Sequence, residues 1–316
     1  MLTRRLRHCT VVAGLVCLSA CATEVRLTTT AVKLKDTPFY AQVTDQCGPS
    51  ALATILQVSG VAVTPEVLKS RVYIPGREGS LQIELLAATR GYRRIPYRVD
   101  PLTTALVAEL RSGRPVLVLQ NLGRKSSPIW HYAVVVGYLP KENQFVLRSG
   151  DQARHLMRVS RFTRTWARAG FWGVVALQPG ELPALPVAKK YIRSVAGLEA
   201  IGDAESAIAG YDAATHRWPQ ESLAWFGLGN AYYAQENLDA AEDAYKTALT
   251  IKPDYSAALN NLSQVQADRG CYAQASATLD IALASVEPNS PMHEILESSL
   301  SGLAKQERKS ICIASY

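Results

Sequence analysis

Between residues 115 and 177 the apolar positions come in short runs of β-branched residues, whereas beyond residue 188 they recur at helical intervals on an alanine-rich background. The runs 115–120, 132–138, 145–147 and 172–177 (PVLVLQ, YAVVVGY, FVL and WGVVAL) read as strands. Residues 139–144, LPKENQ, form a turn between two of them and predict an antiparallel hairpin. Upstream, Leu52, Ile55, Leu56 and Ser59 share one helical face, as do Leu81, Leu85 and Ala88, and Leu102, Leu106 and Leu110. The first half is therefore expected to be α+β. The stretch PGELPALP, residues 179–186, carries three prolines and reads as a linker that continues neither helix nor central strand.

The second half repeats. Within residues 222–255, Trp225, Leu228, Gly229, Tyr232, Ala241, Tyr245, Ala248 and Pro253 follow a spacing that resembles the tetratricopeptide repeat. A step of 34 residues back gives Tyr191, Leu198, Ala207, Tyr211, Ala214 and Pro219, and a step forward gives Leu259, Leu262, Ala275, Leu279 and Ala282. Three repeats are thus expected, at 188–221, 222–255 and 256–289, with a capping helix and tail over 290–316. Small residues such as Ala241 and Ala248 let the helices of each hairpin approach, and aromatics fill the space between units. The resemblance implies a concave groove on the first helices, with Phe226, Asn230, Tyr233, Asn260 and Gln264 as the residues facing a protein partner. The rival expectation is a spacer with a solvated groove.

The N-terminus, MLTRRLRHCTVVAGLVCLSAC, combines a basic start (Arg4, Arg5, Arg7) with an apolar run from Val11 to Leu18. This pattern is that of an export signal, residues 1–20, too short for a stable membrane span. Leu18-Ser19-Ala20-Cys21 resembles the bacterial lipoprotein cleavage box, which implies Cys21 as the lipidated first residue of the mature chain and a lipid bilayer as a partner. Ala22 follows in place of aspartate, so the expected address is the periplasmic face of an outer membrane. Residues 21–37 would be the tether. Of six cysteines, Cys9 and Cys17 leave with the signal, Cys271 and Cys312 can pair in an oxidising compartment, and Cys47 is the odd one.

Cys47 precedes Gly48-Pro49 and the helical pattern 49–59. Proline suits the first helical position, glycine permits a tight entry, and a helix N-terminus lowers a thiol pKa. A thiol nucleophile also needs a base. His8 leaves with the signal and His216 and His293 lie among the repeats, which leaves His131 and His155. His131 opens the strand HYAVVVGY, at the edge of a sheet where a side chain can face a cleft, and is preferred over His155 in the polar segment RHLMRV. Gln42, five residues before Cys47, can donate an amide N–H to an oxyanion alongside the Cys47 backbone N–H.

Together, PFYAQVTDQCGPSALATIL and WHYAVVVGY resemble the bacteriocin-processing, double-glycine type of papain-like cysteine peptidase. The resemblance spans the domain 38–178 and implies Cys47 as nucleophile, His131 as general base and acid, Gln42 in the oxyanion hole and a peptide or protein substrate. That family orients its histidine with Asp or Asn at the end of the next strand. Here the strand reads FVLRSGD, so Ser149 or Asp151 is the candidate, since Arg148 has no acceptor. The expected architecture is an α+β papain-like domain, a linker at 179–187 and an all-α tetratricopeptide solenoid.

Charge alters this picture little. The net +7 falls to about +4 without Arg4, Arg5 and Arg7, too modest an excess to imply nucleic acid. No Cys/His cluster has metal-ligand spacing, no glycine-rich phosphate loop is present, and no cofactor is expected. Two other functions fit the same residues: a non-catalytic peptidase-like scaffold, and acyl or peptidyl transfer by the Cys–His pair.

Overall fold

A computed structural model describes residues 27–42, 46–77 and 79–306. The expected signal, Cys21 and Cys312 lie outside them. The first half comprises strand β1 (Val32–Lys33), helices α1 (Cys47–Val58), α2 (Pro65–Val72) and α3 (Gln82–Gly91), β2 (Ile95–Arg98), α4 (Thr103–Arg111), β3 (Val116–Asn121), β4 (Trp130–Leu139), β5 (Gln144–Ser149), β6 (Gln152–Arg158), α5 (Val159–Ala167) and β7 (Gly173–Leu177). All pairings are antiparallel, in the order β2-β7-β3-β4-β5-β6, with β1 beside the end of β4.

Alternation along β4 explains the two layers on either side of the sheet. Tyr132, Val134 and Val136 face the layer built with Leu52, Ile55 and Leu56 of α1. Ala133 and Val135 face the opposite layer, with Phe162 and Trp166 of α5. Proline 96 sits in β2, which is tolerable because β2 is an edge strand. At the far end of β4, the Leu27 N–H donates to the Tyr138 hydroxyl at 3.2 Å, so the described chain enters the fold there.

The second half is helical: α6 (Ala188–Glu199), α7 (Ala204–Arg217), α8 (Ser222–Tyr233), α9 (Leu238–Ile251), α10 (Ser256–Asp268), α11 (Tyr272–Ala284) and α12 (Pro291–Gln306). Asp203 and Asn237 cap α7 and α9 by accepting the N–H of Ser206 and Ala240. Glycines set the helix spacing. A Cβ on Gly227 would collide with the Tyr211 ring, and one on Gly229 with the Tyr245 ring. Gly229→Val is expected to destabilise the protein by about 3 kcal/mol through overpacking against Tyr245, read as a lower midpoint in chemical denaturation.

The two halves share one apolar core. Ile95 and Tyr97 of β2 belong to the same cluster as Tyr191, Ile192, Val195 and Leu198 of α6. The segment read as a linker is clamped to the first half: Ala184 N–H donates to Glu109 Oε1 at 2.8 Å, and Arg114 bridges Glu109 (2.7 Å) and Glu181 (2.6 Å). Lys190 pairs with Asp100 at 2.5 Å, and Arg93 pairs with Asp203 and Glu205 at the start of α7. The first repeat helps cover the apolar side chains of edge strand β2, and Tyr97 Oη donates to Leu185 O at 3.4 Å, so the proline-rich stretch is held between the two halves.

Candidate active site

Cys47 is the first residue of α1, half-buried, and its helix starts over the end of the sheet where β4 begins. The first turn of α1 packs most tightly on Ser80, with which a Cβ on Gly48 would collide, and also on Tyr132. A Cβ on Gly48 would lie 3.7 Å from the Tyr132 ring, and Tyr132 Oη donates to the Ser80 carbonyl at 3.2 Å. Burial, and then the negative charge of a Cys47 thiolate, push the Tyr132 hydroxyl well above its ordinary pKa. The thiol therefore sits within electrostatic reach of the residue that follows His131.

His131 is the second residue of β4, but β4 is an interior strand, paired with β3 on one side and β5 on the other. The sequence expectation of a sheet-edge histidine is thus corrected: His131 stands at the end of a central strand, a more rigid seat. Its Nε2 is 2.8 Å from Ser149 Oγ, at the last residue of β5. That contact settles which of two side chains meets the imidazole. Asp151 is exposed on the following turn and makes no hydrogen bond or ion pair among the described residues. Arg148, one residue earlier, points to the other face and donates to the carbonyls of Thr37 (2.8 Å) and Ala153.

Gln42 ties these strands together. Its backbone N–H donates to Gly150 O at 2.9 Å, its Oε1 accepts from Gly150 N–H at 2.8 Å, and its Nε2 donates to Tyr132 O at 3.2 Å. The donor and acceptor partners fix the amide orientation, because a flipped amide would face N–H with N–H. Gly150 can serve this turn because its φ is +60°, left-handed backbone that suits glycine. Gln42 thus joins the residue after His131 to the residue after Ser149, and the amide keeps a second N–H.

The imidazole pKa is lowered, first by burial and then by the charge of His155. His155 is paired across the sheet with Leu147, so it shares a sheet face with Ser149, and its Nδ1 is 2.9 Å from Gln152 Oε1. Sequence reading set His155 aside; QARHLMR has too little apolar alternation to announce a strand, so the sequence holds no signal that brings His155 to this face. Gln120, fully buried and opposite His131 in β3, was also missed, and its amide donates to Thr165 Oγ1 at 2.6 Å.

In the repeats, Phe226 packs between the rings of Tyr245 and Tyr255, with centroids at 6.0 and 5.0 Å. Asn230 Oδ1 accepts from Tyr245 Oη and from Asn261 Nδ2, both at 2.9 Å, while its Nδ2 donates to Glu199 Oε1 at 3.2 Å. Phe226 thus packs within its own repeat, Asn230 ties its repeat to those on either side, and both stay half-buried. Asn260 accepts from Ser299 Oγ at 2.9 Å. Tyr233 and Gln264 converge on Asp268, at 2.7 and 2.8 Å.

The fold and this constellation define a peptidase-like α+β domain joined to a repeat domain. Residues 34–173 match the Peptidase_C39 like family and residues 198–256 match the tetratricopeptide repeat, so the chain carries a C39-like peptidase domain followed by tetratricopeptide repeats. No curated protein matches the chain. Among solved structures, a Bacillus anthracis protein classed as a C39-like peptidase is 16% identical over 47% of this chain and 98% of its own, with a TM-score of 0.40. The TPR2B domain of yeast Sti1, in complex with an Hsp70 peptide, is 17% identical over 38% of this chain and 97% of its own, with a TM-score of 0.36. The Yersinia enterocolitica type III secretion translocator chaperone SycD is 17% identical over 38% of this chain and 86% of its own, with a TM-score of 0.36.

Proposed function

We propose that this protein is a cell-envelope cysteine peptidase, lipid-anchored through Cys21, that cleaves peptide bonds with Cys47 and His131. The observation that carries the reading is the His131 Nε2–Ser149 Oγ contact of 2.8 Å, at the end of the sheet over which α1 presents Cys47. With Nε2 held by Ser149, Nδ1 is the nitrogen that takes the thiol proton. The thiolate attacks the substrate carbonyl, and the oxyanion is received by the Cys47 N–H and the second amide N–H of Gln42. The imidazolium returns its proton to the departing amine as the thioester forms. His131 then activates water to release the acid. The repeats recruit a protein substrate or partner through the surface that includes Tyr233, Asn260 and Gln264.

Serine changes the energetics of the pair. Its oxygen accepts a hydrogen bond from imidazolium but adds no negative charge, so the ion pair gains orientation without the Coulomb support of a carboxylate. A hydrogen bond to a charged group contributes about 1.5–3 kcal/mol. Ser149→Ala is therefore expected to lower kcat/KM by about 10–100-fold. Ser149→Asp is expected to move the acid limb of Cys47 alkylation to lower pH. The test is iodoacetamide labelling of Cys47 over a pH series, read by mass spectrometry. A labelling profile like that of an ordinary thiol, unmoved by either substitution, overturns the reading.

A further inference from the structure

The charge of this chain is concentrated in one place. Residues 124–168 hold nine Lys and Arg against two acids, Glu142 and Asp151, so this segment alone carries the +7 of the whole sequence. The rest of the chain is balanced. Among the described residues, the arginines in ion pairs are Arg93, Arg114 and Arg269, none of them in this segment.

Arg154 and Arg158 of this segment lie on an edge strand, and Arg161 and Arg164 on the helix that follows it. Among the described residues, β6 is the last strand of the sheet and pairs only with β5. Its Met157 is buried in the layer that contains α5, so by alternation Arg154 and Arg158 project from the other face, and both are exposed. On the α5 side, Phe162, Thr165 and Trp166 face inward. Arg161, Arg164 and Arg168, at helical spacing, form the exposed face. Arg168 donates twice to Asn121 O, at 3.1 and 2.8 Å, which ties the C-terminal end of α5 to the hairpin that bears Arg124 and Lys125 and leads into His131. β6 itself starts three residues after Ser149.

We propose that the open edge of β6 docks an extended acidic peptide as an added strand. Side chains of such a strand alternate between the two faces of the sheet. Carboxylates on one face meet Arg154 and Arg158, and those on the other meet Arg161 and Arg164. A flat anionic membrane can lie against one face but cannot reach both, so the two-sided arrangement fits a polypeptide better than a lipid surface. The remaining titratable groups near the edge are His155, Asp151, Arg148, Lys141 and Glu142, with the two acids at turns outside the arginine rows. Because β6 begins beside the catalytic end, the docked segment belongs to the polypeptide being cleaved. In that last respect the proposal rests on the peptidase reading.

Binding and cleavage are tested apart by using Cys47→Ala protein. Fluorescence anisotropy with fluorescein-labelled decaglutamate should show salt-dependent binding to Cys47→Ala at the same affinity as to wild type. Adding Arg154→Glu and Arg161→Glu, one on each face, should weaken it about tenfold or more, while Cys47 alkylation of the same double variant in the Cys47 background stays unchanged. Decaglutamate with alternate backbone nitrogens methylated keeps its charge but cannot pair as a strand, and should bind at least tenfold more weakly than the parent peptide. Equal binding of the methylated peptide overturns strand addition. Absence of decaglutamate binding, or preferential capture of the track by vesicles rich in phosphatidylglycerol, overturns the acidic-peptide assignment. If the edge binds decaglutamate and Cys47 proves inert, the docking site stands without the peptidase.

Discussion

His131→Ala is expected to reduce peptide hydrolysis by about 10⁴-fold while slowing alkylation of Cys47 at pH 7 by only about 10–30-fold. The two losses differ because they ask different things of the histidine. Alkylation needs only a thiolate, and a thiol of ordinary pKa near 8.5 still supplies a few per cent of it at neutral pH. Hydrolysis also needs a proton delivered to the amine and a water activated by the same ring. A variant in which both rates fall equally would show that His131 acts on the thiol alone. The substitution has a second readout, in stability. Burial lowers the imidazole pKa, so the folded state binds its proton less readily than the unfolded chain. Wild type should therefore lose stability relative to a His131→Gln variant as pH falls below about 6.5, and the difference should vanish above it. Urea midpoints at two pH values decide this.

Removal of the repeats after residue 187 is expected to leave the peptidase domain insoluble or unfolded at 37 °C. Ile95 is fully buried and Tyr97 nearly so, in a cluster completed by Tyr191, Ile192, Val195 and Leu198. Each large apolar side chain so exposed costs about 1.5–3 kcal/mol, and several together approach the net stability of a domain. Ile192→Asp in the full chain probes the same surface without truncation and should cost about 3 kcal/mol or more. A shared core also predicts one calorimetric transition for the full chain. Two separate transitions, with the first half unaffected by Ile192→Asp, would show that the repeats are an appendage.

How much of this was legible in the sequence depends on what local pattern encodes. Cys47 before Gly48-Pro49 announces a helix N-terminus because those residue types have few other uses together, and α1 begins at Cys47. The hairpin of β4 and β5 follows from two apolar runs and a polar turn. β6 was not legible, because an edge strand with Arg154, Leu156 and Arg158 on its open face lacks the apolar alternation that marks a half-buried strand. The tight linker was hidden for a different reason. Pro179, Pro183 and Pro186 exclude regular structure, but only tertiary contacts from Glu109 and Arg114 decide whether such a stretch is fixed. Ser149 and Asp151 were chemically near equivalent on paper. The register of β5 decided between them, and register is a property of paired strands.

The hydrogen bond from Leu27 to Tyr138 makes β4 a measuring rod. His131 and Tyr138 are seven residues apart on one strand, about 23 Å at 3.3 Å per residue. The described chain joins the body at one end of that rod, and the proposed Cys47–His131 pair lies at the other. If Cys21 is the anchor, as proposed, the six residues to Leu27 span at most about 21 Å. A molecule hung from its Tyr138 end would hold Cys47 on the side away from lipid, open to polypeptides arriving from the aqueous compartment rather than to segments lying in the bilayer.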